Sequence, residues 1–214
     1  MQFNVLILNM PVIALTKKNT ENAVIDAVKI LKAGGIIAYP TESFYALGAM
    51  AMNEKAVKKI FDIKNRPYGK PLPLIVNDTQ SLLIAVKKIP DHATILINKF
   101  WPGPLTIIFE ARKEVPVLIT GESRNVAARV PGESAALQIA KSIKVPITAT
   151  SANLSSMPPA INAEEVLSYF GDKIDLILDG GQAPGGKPST ILDVTVTPVR
   201  ILREGSIELN RHVI

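Results

Sequence analysis

A short apolar run stopped by proline, with hydroxyls directly behind it, sets the frame for this chain. Ile36-Ile37-Ala38-Tyr39 is apolar and partly β-branched, and Pro40 ends it, so it reads as a short buried strand. Thr41, Glu42 and Ser43 follow at its C-terminal end, where open α/β sheets bind their ligands. A helix comes next. Asn53 can cap it, and Val57, Ile60 and Phe61 mark its buried face. Lys64 lies seven residues after Val57 and four after Ile60, so it continues the buried stripe. Arg66 precedes Pro67, which blocks further helix and favours an extended exit. Lys64, Arg66 and Lys70 thus leave one helix end along a proline-punctuated path. A polyphosphate suits such a cluster, because Arg offers a planar fork and Lys a compact charge. A solvated basic helix end is the other reading of the same charges.

The remaining pattern is mixed. Helices are expected over 20–33, 79–88, 91–100, 133–143 and 163–170. Strands are expected over 72–76, 105–110, 125–130, 145–150, 174–178, 191–196 and 199–202. Pro73 points to an edge position or a bulge for the first of these strands. No period repeats, and 214 residues suffice for a full core, so a single α/β domain over 1–214 with a twisted mixed sheet is expected. The start, residues 1–15, is apolar but lacks a basic leader and is too short to span a bilayer. It reads as an edge strand of a cytoplasmic protein with no membrane partner. Cysteine is absent and the histidines are two, His92 and His212, which excludes disulfides, thiolate zinc sites and cysteine nucleophiles. A net charge of +5 is compatible with a nucleotide or a nucleic-acid partner.

Three further stretches carry polar groups near strand ends. Gly180 to Thr190 reads GGQAPGGKPST and nearly matches the phosphate-binding loop pattern, but Pro188 stands where a magnesium-binding hydroxyl belongs, and a strand rather than a helix follows. A glycine-rich loop presenting Ser189 and Thr190 is what remains. Ser151-Ala152-Asn153 lies at the end of the 145–150 strand and is by itself an ordinary polar turn. Arg129 lies within the apolar strand Val126 to Val130, where its charge needs a partner, either an anionic ligand or a neighbouring carboxylate. Arg203, after Val199 to Leu202, has the same two readings. Cations and hydroxyls at several strand ends favour an anion-handling site that works by positioning and electrostatics, and argue against a Ser-His-Asp hydrolase.

Seven short pieces, in order, resemble the YrdC-like family, the threonylcarbamoyl-AMP synthases. They are Tyr39-Pro-Thr-Glu-Ser, Lys64-x-Arg66-Pro, Lys70-Pro-Leu, Trp101-Pro-Gly-Pro-Leu-Thr, Arg129-x-Pro131, Ser151-Ala-Asn153 and Ser189-Thr-Ile-Leu-Asp193. The family pairs a Lys-x-Arg in space with a Ser-x-Asn, and both are intact here. Ser156 departs from the family, which commonly has glycine after that turn, and Ser43 stands where threonine or a small residue is frequent. The resemblance implies an α/β fold with a largely parallel sheet around a concave positive cavity. It implies a reaction in which L-threonine, bicarbonate and ATP, with magnesium carried on its phosphates, give threonylcarbamoyl-AMP and pyrophosphate. Partner proteins then modify tRNA. By the same resemblance Lys64 and Arg66 are catalytic, and with Lys70, Asn125, Asn153 and Arg203 they hold the nucleotide. Thr41 or Ser43, Arg129, Ser151 and Ser189 hold threonine, and no residue serves as a direct metal ligand. Two alternatives accompany this reading: a carbamoyl-adenylate-forming maturation enzyme, and a noncatalytic module binding tRNA or double-stranded RNA.

Overall fold

The computed structural model describes residues 11–209. In chain order its strands are β1 (Val12–Ala14), β2 (Ile37–Pro40), β3 (Tyr45–Gly48), β4 (Leu74–Ile75), β5 (Leu105–Glu110), β6 (Asn125–Arg129), β7 (Ile147–Thr148), β8 (Thr150–Ser151), β9 (Leu176–Asp179), β10 (Thr190–Asp193) and β11 (Arg200–Arg203). The helices are α1 (Thr20–Lys32), α2 (Glu54–Lys64), α3 (Thr79–Leu82), α4 (Asp91–Phe100), α5 (Val117–Thr120), α6 (Ala135–Ile143) and α7 (Ala163–Phe170). None is long and apolar enough to cross a membrane among the described residues.

The strands divide between two sheets. One has the order β1-β9-β2-β3-β8, the other β11-β10-β5-β6-β4-β7. Pairing is mixed in both: β9 runs parallel to β1 and β2, and β10 to β5, while β2–β3 and β5–β6 are antiparallel. The first sheet is covered on both faces, and β2 shows why its sequence is apolar throughout. Ile37 and Tyr39 pack into a cluster with Val24, Val28 and Leu31 of α1 and Ile139 of α6. Ile36 and Ala38 face the larger core with Val57, Ile60 and Phe61 of α2. A strand buried on both sides loses the polar alternation of a half-exposed one. Tyr39 also ties the sheets together: its hydroxyl donates to the Thr148 carbonyl at 2.9 Å. Gly48 makes room for that ring, because a Cβ there would lie 2.6 Å from Tyr39 Cε1.

Several expectations change in the fold. β4 is not an edge strand. It lies between β6 and β7, and Pro73 stands just outside its ladder, where a missing N–H costs nothing. Pro73 still contributes its carbonyl, which accepts from the Ala149 N–H at 2.9 Å. The helix expected over 79–88 shortens to a single turn, because Val86 bridges to Ala111 instead of continuing it. The strand expected over 145–150 breaks at Ala149 into two pieces. β7 pairs with β4 in one sheet and β8 with β3 in the other. β3 itself is an addition; Thr41 to Phe44 turns the chain back into it. The edge strand expected over 1–15 is seen at Val12–Ala14, parallel to β9, and residues 1–10 lie outside the described residues.

Candidate functional site

The break at Ala149 places Ser151 where the two sheets meet. A cavity of about 420 Å³ opens at that junction. Its floor is the second sheet, from which Thr106 and Ile108 of β5, Ala127 and Arg129 of β6, and Ile191 and Leu202 all line it. Strand alternation explains this choice: Ala127 and Arg129 are two apart and share a face. The walls come from Thr41, from Ser43 to Ala46, from Ala149 to Ser151, and from Arg66, Ser189 and Arg203.

Seven of the residues expected from the sequence therefore line one cavity: Thr41, Ser43, Arg66, Arg129, Ser151, Ser189 and Arg203. Lys64, Lys70, Asn125 and Asn153 do not. Asn125 shares a face with Ala127 and Arg129 but sits at the start of β6, where its Nδ2 faces Thr195 Oγ1 at 3.4 Å. Lys70 is exposed. It acts through its backbone, whose carbonyl accepts from Arg66 Nε at 3.3 Å while the Pro71 carbonyl accepts from Arg66 Nη2 at 2.7 Å. The proline-rich exit from α2 thus aims Arg66.

Lys64 is the most informative placement. It ends α2, which is capped at its start by Asn53 and stopped by Asn65 in the left-handed region (φ 50°). Lys64 is 2% exposed. Its ammonium donates to the Ser151 carbonyl at 2.5 Å and the Asn153 carbonyl at 2.6 Å, and its own carbonyl accepts from the Ser155 N–H at 2.9 Å. The spatial pairing of Lys-x-Arg with Ser-x-Asn is thus made by one lysine gripping the backbone of the turn. Ser151 itself lines the cavity, and its hydroxyl makes no hydrogen bond among the described residues. Burial, and secondarily the charge of Arg66, push Lys64 from 10.5 down to about 7. Asn153, also buried, donates from Nδ2 to the Leu154 and Met157 carbonyls, at 2.9 and 2.6 Å, while its Oδ1 has no partner among the described residues. The loop it clamps includes Ser156 at φ 72°, a conformation that favours glycine.

The hydroxyls differ in what they have left to offer. Thr41 Oγ1 donates to the Phe44 carbonyl at 2.8 Å and accepts from the backbone N–H groups of Ser43 and Phe44, so it is committed to the turn. Ser43 Oγ has one long contact, 3.4 Å to Thr41 Oγ1, and is the freer of the two. Ser189 Oγ accepts from Arg203 Nη2 at 3.0 Å and meets Thr106 Oγ1 at 2.9 Å. Arg203 Nε is held by the Ser189 carbonyl at 2.9 Å. Thr106 was missed by sequence reasoning. Its signal was the end of the Trp101-Pro-Gly-Pro-Leu-Thr piece, a turn closed by the Trp101 indole N–H donating to the Leu105 carbonyl at 2.7 Å. The glycine-rich loop is pinned beside this group: Gly185 N–H donates to the Ser43 carbonyl at 2.7 Å, and the Tyr45 hydroxyl to Gly181 at 2.7 Å. A strand, β10, follows the loop. His92 lies elsewhere, its Nε2 at 3.2 Å from the Val194 carbonyl.

Arg129 answers its two readings with a carboxylate: its Nη1 is hydrogen-bonded to Glu42 Oε1. Burial, offset in part by Tyr39 and reinforced by the charge of Arg203, lowers Arg129 from 12.5 to about 10. Burial also lowers Arg66 and Arg203. The only charged side chains lining the cavity, among the described residues, are these three arginines. Three guanidiniums, Arg129 largely buried, Arg66 half-buried and Arg203 exposed, with hydroxyls between them form a receptor for anions bearing several oxygen atoms.

Comparison with known proteins agrees with that chemistry. The family model Sua5/YciO/YrdC, described as telomere recombination, matches residues 29–205. A threonylcarbamoyl-AMP synthase of Pyrococcus abyssi is 40% identical over 183 residues, covering 86% of this chain and 54% of that protein. The chain thus spans about half the length of that curated relative. The structure of P. abyssi Sua5 complexed with L-threonine superposes with a TM-score of 0.85 at 37% identity, over 92% of this chain and 57% of that one. E. coli YciO superposes with a TM-score of 0.79 at 28% identity, over 92% of this chain and 96% of its own. In sequence and in fold, the chain belongs to the Sua5/YciO/YrdC family.

Proposed function

We propose that this cavity joins L-threonine, bicarbonate and ATP into threonylcarbamoyl-AMP, releasing pyrophosphate. The observation that carries the reading is the convergence of three arginines and the Ser43, Ser151 and Ser189 hydroxyls on one cavity with no acidic lining among the described residues. Both sheets contribute to it, which supports treating the chain as one functional domain. The names of the P. abyssi relatives point the same way.

The chemistry asks for a threonine amine that captures carbon dioxide or bicarbonate as a carbamate. A carbamate oxygen then attacks the α-phosphorus of ATP, the bond to the β-phosphate oxygen breaks, and pyrophosphate leaves. Negative charge grows on phosphate oxygens, and Arg66 and Arg203 stabilise it from fixed positions. Magnesium comes as part of the nucleotide substrate, neutralising its phosphates. Arg129 takes the threonine carboxylate, while Ser43, Ser151 and Ser189 are placed for the hydroxyl and the carbamate. Lys64 is a positioning residue: it holds the turn that presents Ser151. Asn153, buried behind the cavity, is a second positioning residue: its Nδ2 clamps the loop through the Leu154 and Met157 carbonyls. The product would pass to partner proteins that modify tRNA, in the cytoplasm.

The test is pyrophosphate release by the purified chain with each substrate omitted in turn. Full release should require threonine, bicarbonate, ATP and magnesium together. Release with carbamoyl phosphate in place of threonine and bicarbonate would replace the reading with the maturation-enzyme one. No release under any combination, together with salt-sensitive binding of double-stranded RNA, would replace it with a binding module.

A further inference from the structure

Three guanidiniums face one cavity, and the proposed reaction brings two different anions into it, a single carboxylate and a triphosphate. Nothing in the charge of an arginine tells them apart. The surroundings of the three do. Among the described residues Arg66 is held by backbone carbonyls and Arg203 by the carbonyl and hydroxyl of Ser189, so neither charge is compensated there by a carboxylate. Arg129 is compensated by Glu42, with side-chain exposures of 12% and 20% for the two partners. Glu42 Oε2 is buried and has no hydrogen-bond partner, so the carboxylate is engaged by Arg129 alone among the described residues. The bond uses Nη1 of Arg129, and no other bond of its guanidinium is seen among the described residues. Its Nε and Nη2 edge is left for a ligand.

We propose that Glu42 is a specificity-determining residue that sorts the two anions, orienting Arg129 and reserving its open edge for the carboxylate of the amino acid rather than for the phosphates. This deepens the reading of the cavity as the threonine and ATP site and rests on it. The physics is a difference between two interactions. A carboxylate gains one bidentate pair from the open edge of Arg129 and stands one guanidinium away from Glu42. A triphosphate carries three or four charges, so the fixed negative charge of Glu42 repels it several times more strongly. It goes instead to Arg66 and Arg203, which have no carboxylate paired with them among the described residues. Removing Glu42 would leave Arg129 both unanchored and uncompensated, open to any anion. Arg203 lies near enough for its charge to act on Arg129, so phosphates bound there would be within reach.

The experiment uses inorganic tripolyphosphate as an inhibitor of pyrophosphate release, titrated against ATP and against threonine separately. In the wild-type chain it should compete with ATP alone. In Glu42→Ala it should compete with threonine as well, and the KM for threonine should rise about 10- to 100-fold, the scale of a lost hydrogen bond to a charged group, with a smaller change in kcat. Glu42→Gln keeps the shape and one acceptor oxygen but loses the charge. It should give a smaller rise in KM for threonine and the same new competition, and it preserves the test where the alanine variant folds poorly. Tripolyphosphate competing with ATP alone in both variants would overturn the proposal and leave the cavity reading standing. A wild-type chain whose turnover ignores threonine would overturn both.

Discussion

Replacing Lys64 by methionine would separate the two consequences of its burial, one for stability and one for activity. The lysine amine is nearly inaccessible, and its fall from 10.5 to about 7 corresponds to roughly 5 kcal/mol disfavouring the charged form. Two carbonyls, of Ser151 and Asn153, accept from it, and a neutral amine still has two N–H groups to give them. The folded base is therefore less proton-loving than the same lysine in the unfolded chain. Between pH 7 and 10.5 the unfolded state holds more protons, so this group makes the fold more stable as pH rises, and below pH 7 its full penalty applies. Methionine has no such slope. It also leaves the Asn153 carbonyl without this donor, at a cost of about 1–3 kcal/mol. Near pH 6.5 the two terms oppose each other, the charge penalty is the larger, and the variant should be more stable than the wild type by about 2–4 kcal/mol. By pH 9 the wild type should have recovered about 2–3 kcal/mol of that difference, from a slope of at most about 1.4 kcal/mol per pH unit. Denaturant unfolding of both proteins at pH 6.5, 7.5 and 9 reads the difference, in which all other titrations cancel. Activity should fall at every pH by about 10²-fold, because a misplacement of about 1 Å in Ser151 is enough for that. Parallel stability profiles from pH 7 to 9 would refute the depressed lysine. A folded variant with wild-type turnover would refute its role in holding the turn.

Arg66→Ala should cut pyrophosphate formation by about 10²-fold, the usual cost of removing one preorganised charge contact, whereas Lys58→Ala, on the exposed side of α2, should leave turnover unchanged; equal losses at the two positions would make Arg66 an ordinary surface charge. Ser156→Gly should raise the melting temperature by about 2–4 °C, since φ 72° costs a side chain about 1 kcal/mol that glycine avoids, and a lowered melting temperature would contradict this. Valine, which has the shape of threonine without its hydroxyl, should support turnover about 10⁴-fold less well if Ser43, Ser151 and Ser189 include its partner, and comparison of kcat/KM for the two amino acids decides it: a ratio near 10² would mean an apolar pocket.

The sequence was most readable where a local rule and the tertiary environment agreed. Asn53, Val57, Ile60 and Phe61 specified α2 by capping and periodicity, and the same stripe announced that Lys64 would be buried. Arg129 within an apolar strand announced a partner, although the pattern left open which, and Glu42 turned out to hold it. What periodicity could not give was the division of strands between two sheets. The run from Val145 to Thr150 is a continuous β-type segment, and only long-range pairing, with β4 on one side and β3 on the other, breaks it at Ala149. Pro73 misled for a related reason: a proline just outside a ladder leaves no mark in the sequence that distinguishes it from one inside. Thr106 and the committed hydroxyl of Thr41 were hidden because hydroxyls look alike until their partners are known.

The same observations explain why the site is built from so many separated pieces. Each contributing segment ends or turns where the two sheets meet: β2 at Thr41, β6 at Arg129, β8 at Ser151, and the chain entering β10 at Ser189. A strand end has backbone groups to spare and no ladder to maintain beyond it, so a polar side chain can be placed there without breaking a sheet. The arrangement is rigid because neighbouring pieces hold one another. Lys64 grips the Ser151 turn, Gly185 grips Ser43, Arg203 grips Ser189, and Glu42 grips Arg129. Three of these four grips use a backbone carbonyl as acceptor, which no side-chain replacement on the gripped residue removes. Of the four, the Arg129–Glu42 grip alone has no backbone acceptor behind it, so it is the joint of the cavity that substitution can reset without remaking the backbone, and the place where selectivity between its anions is most open to change.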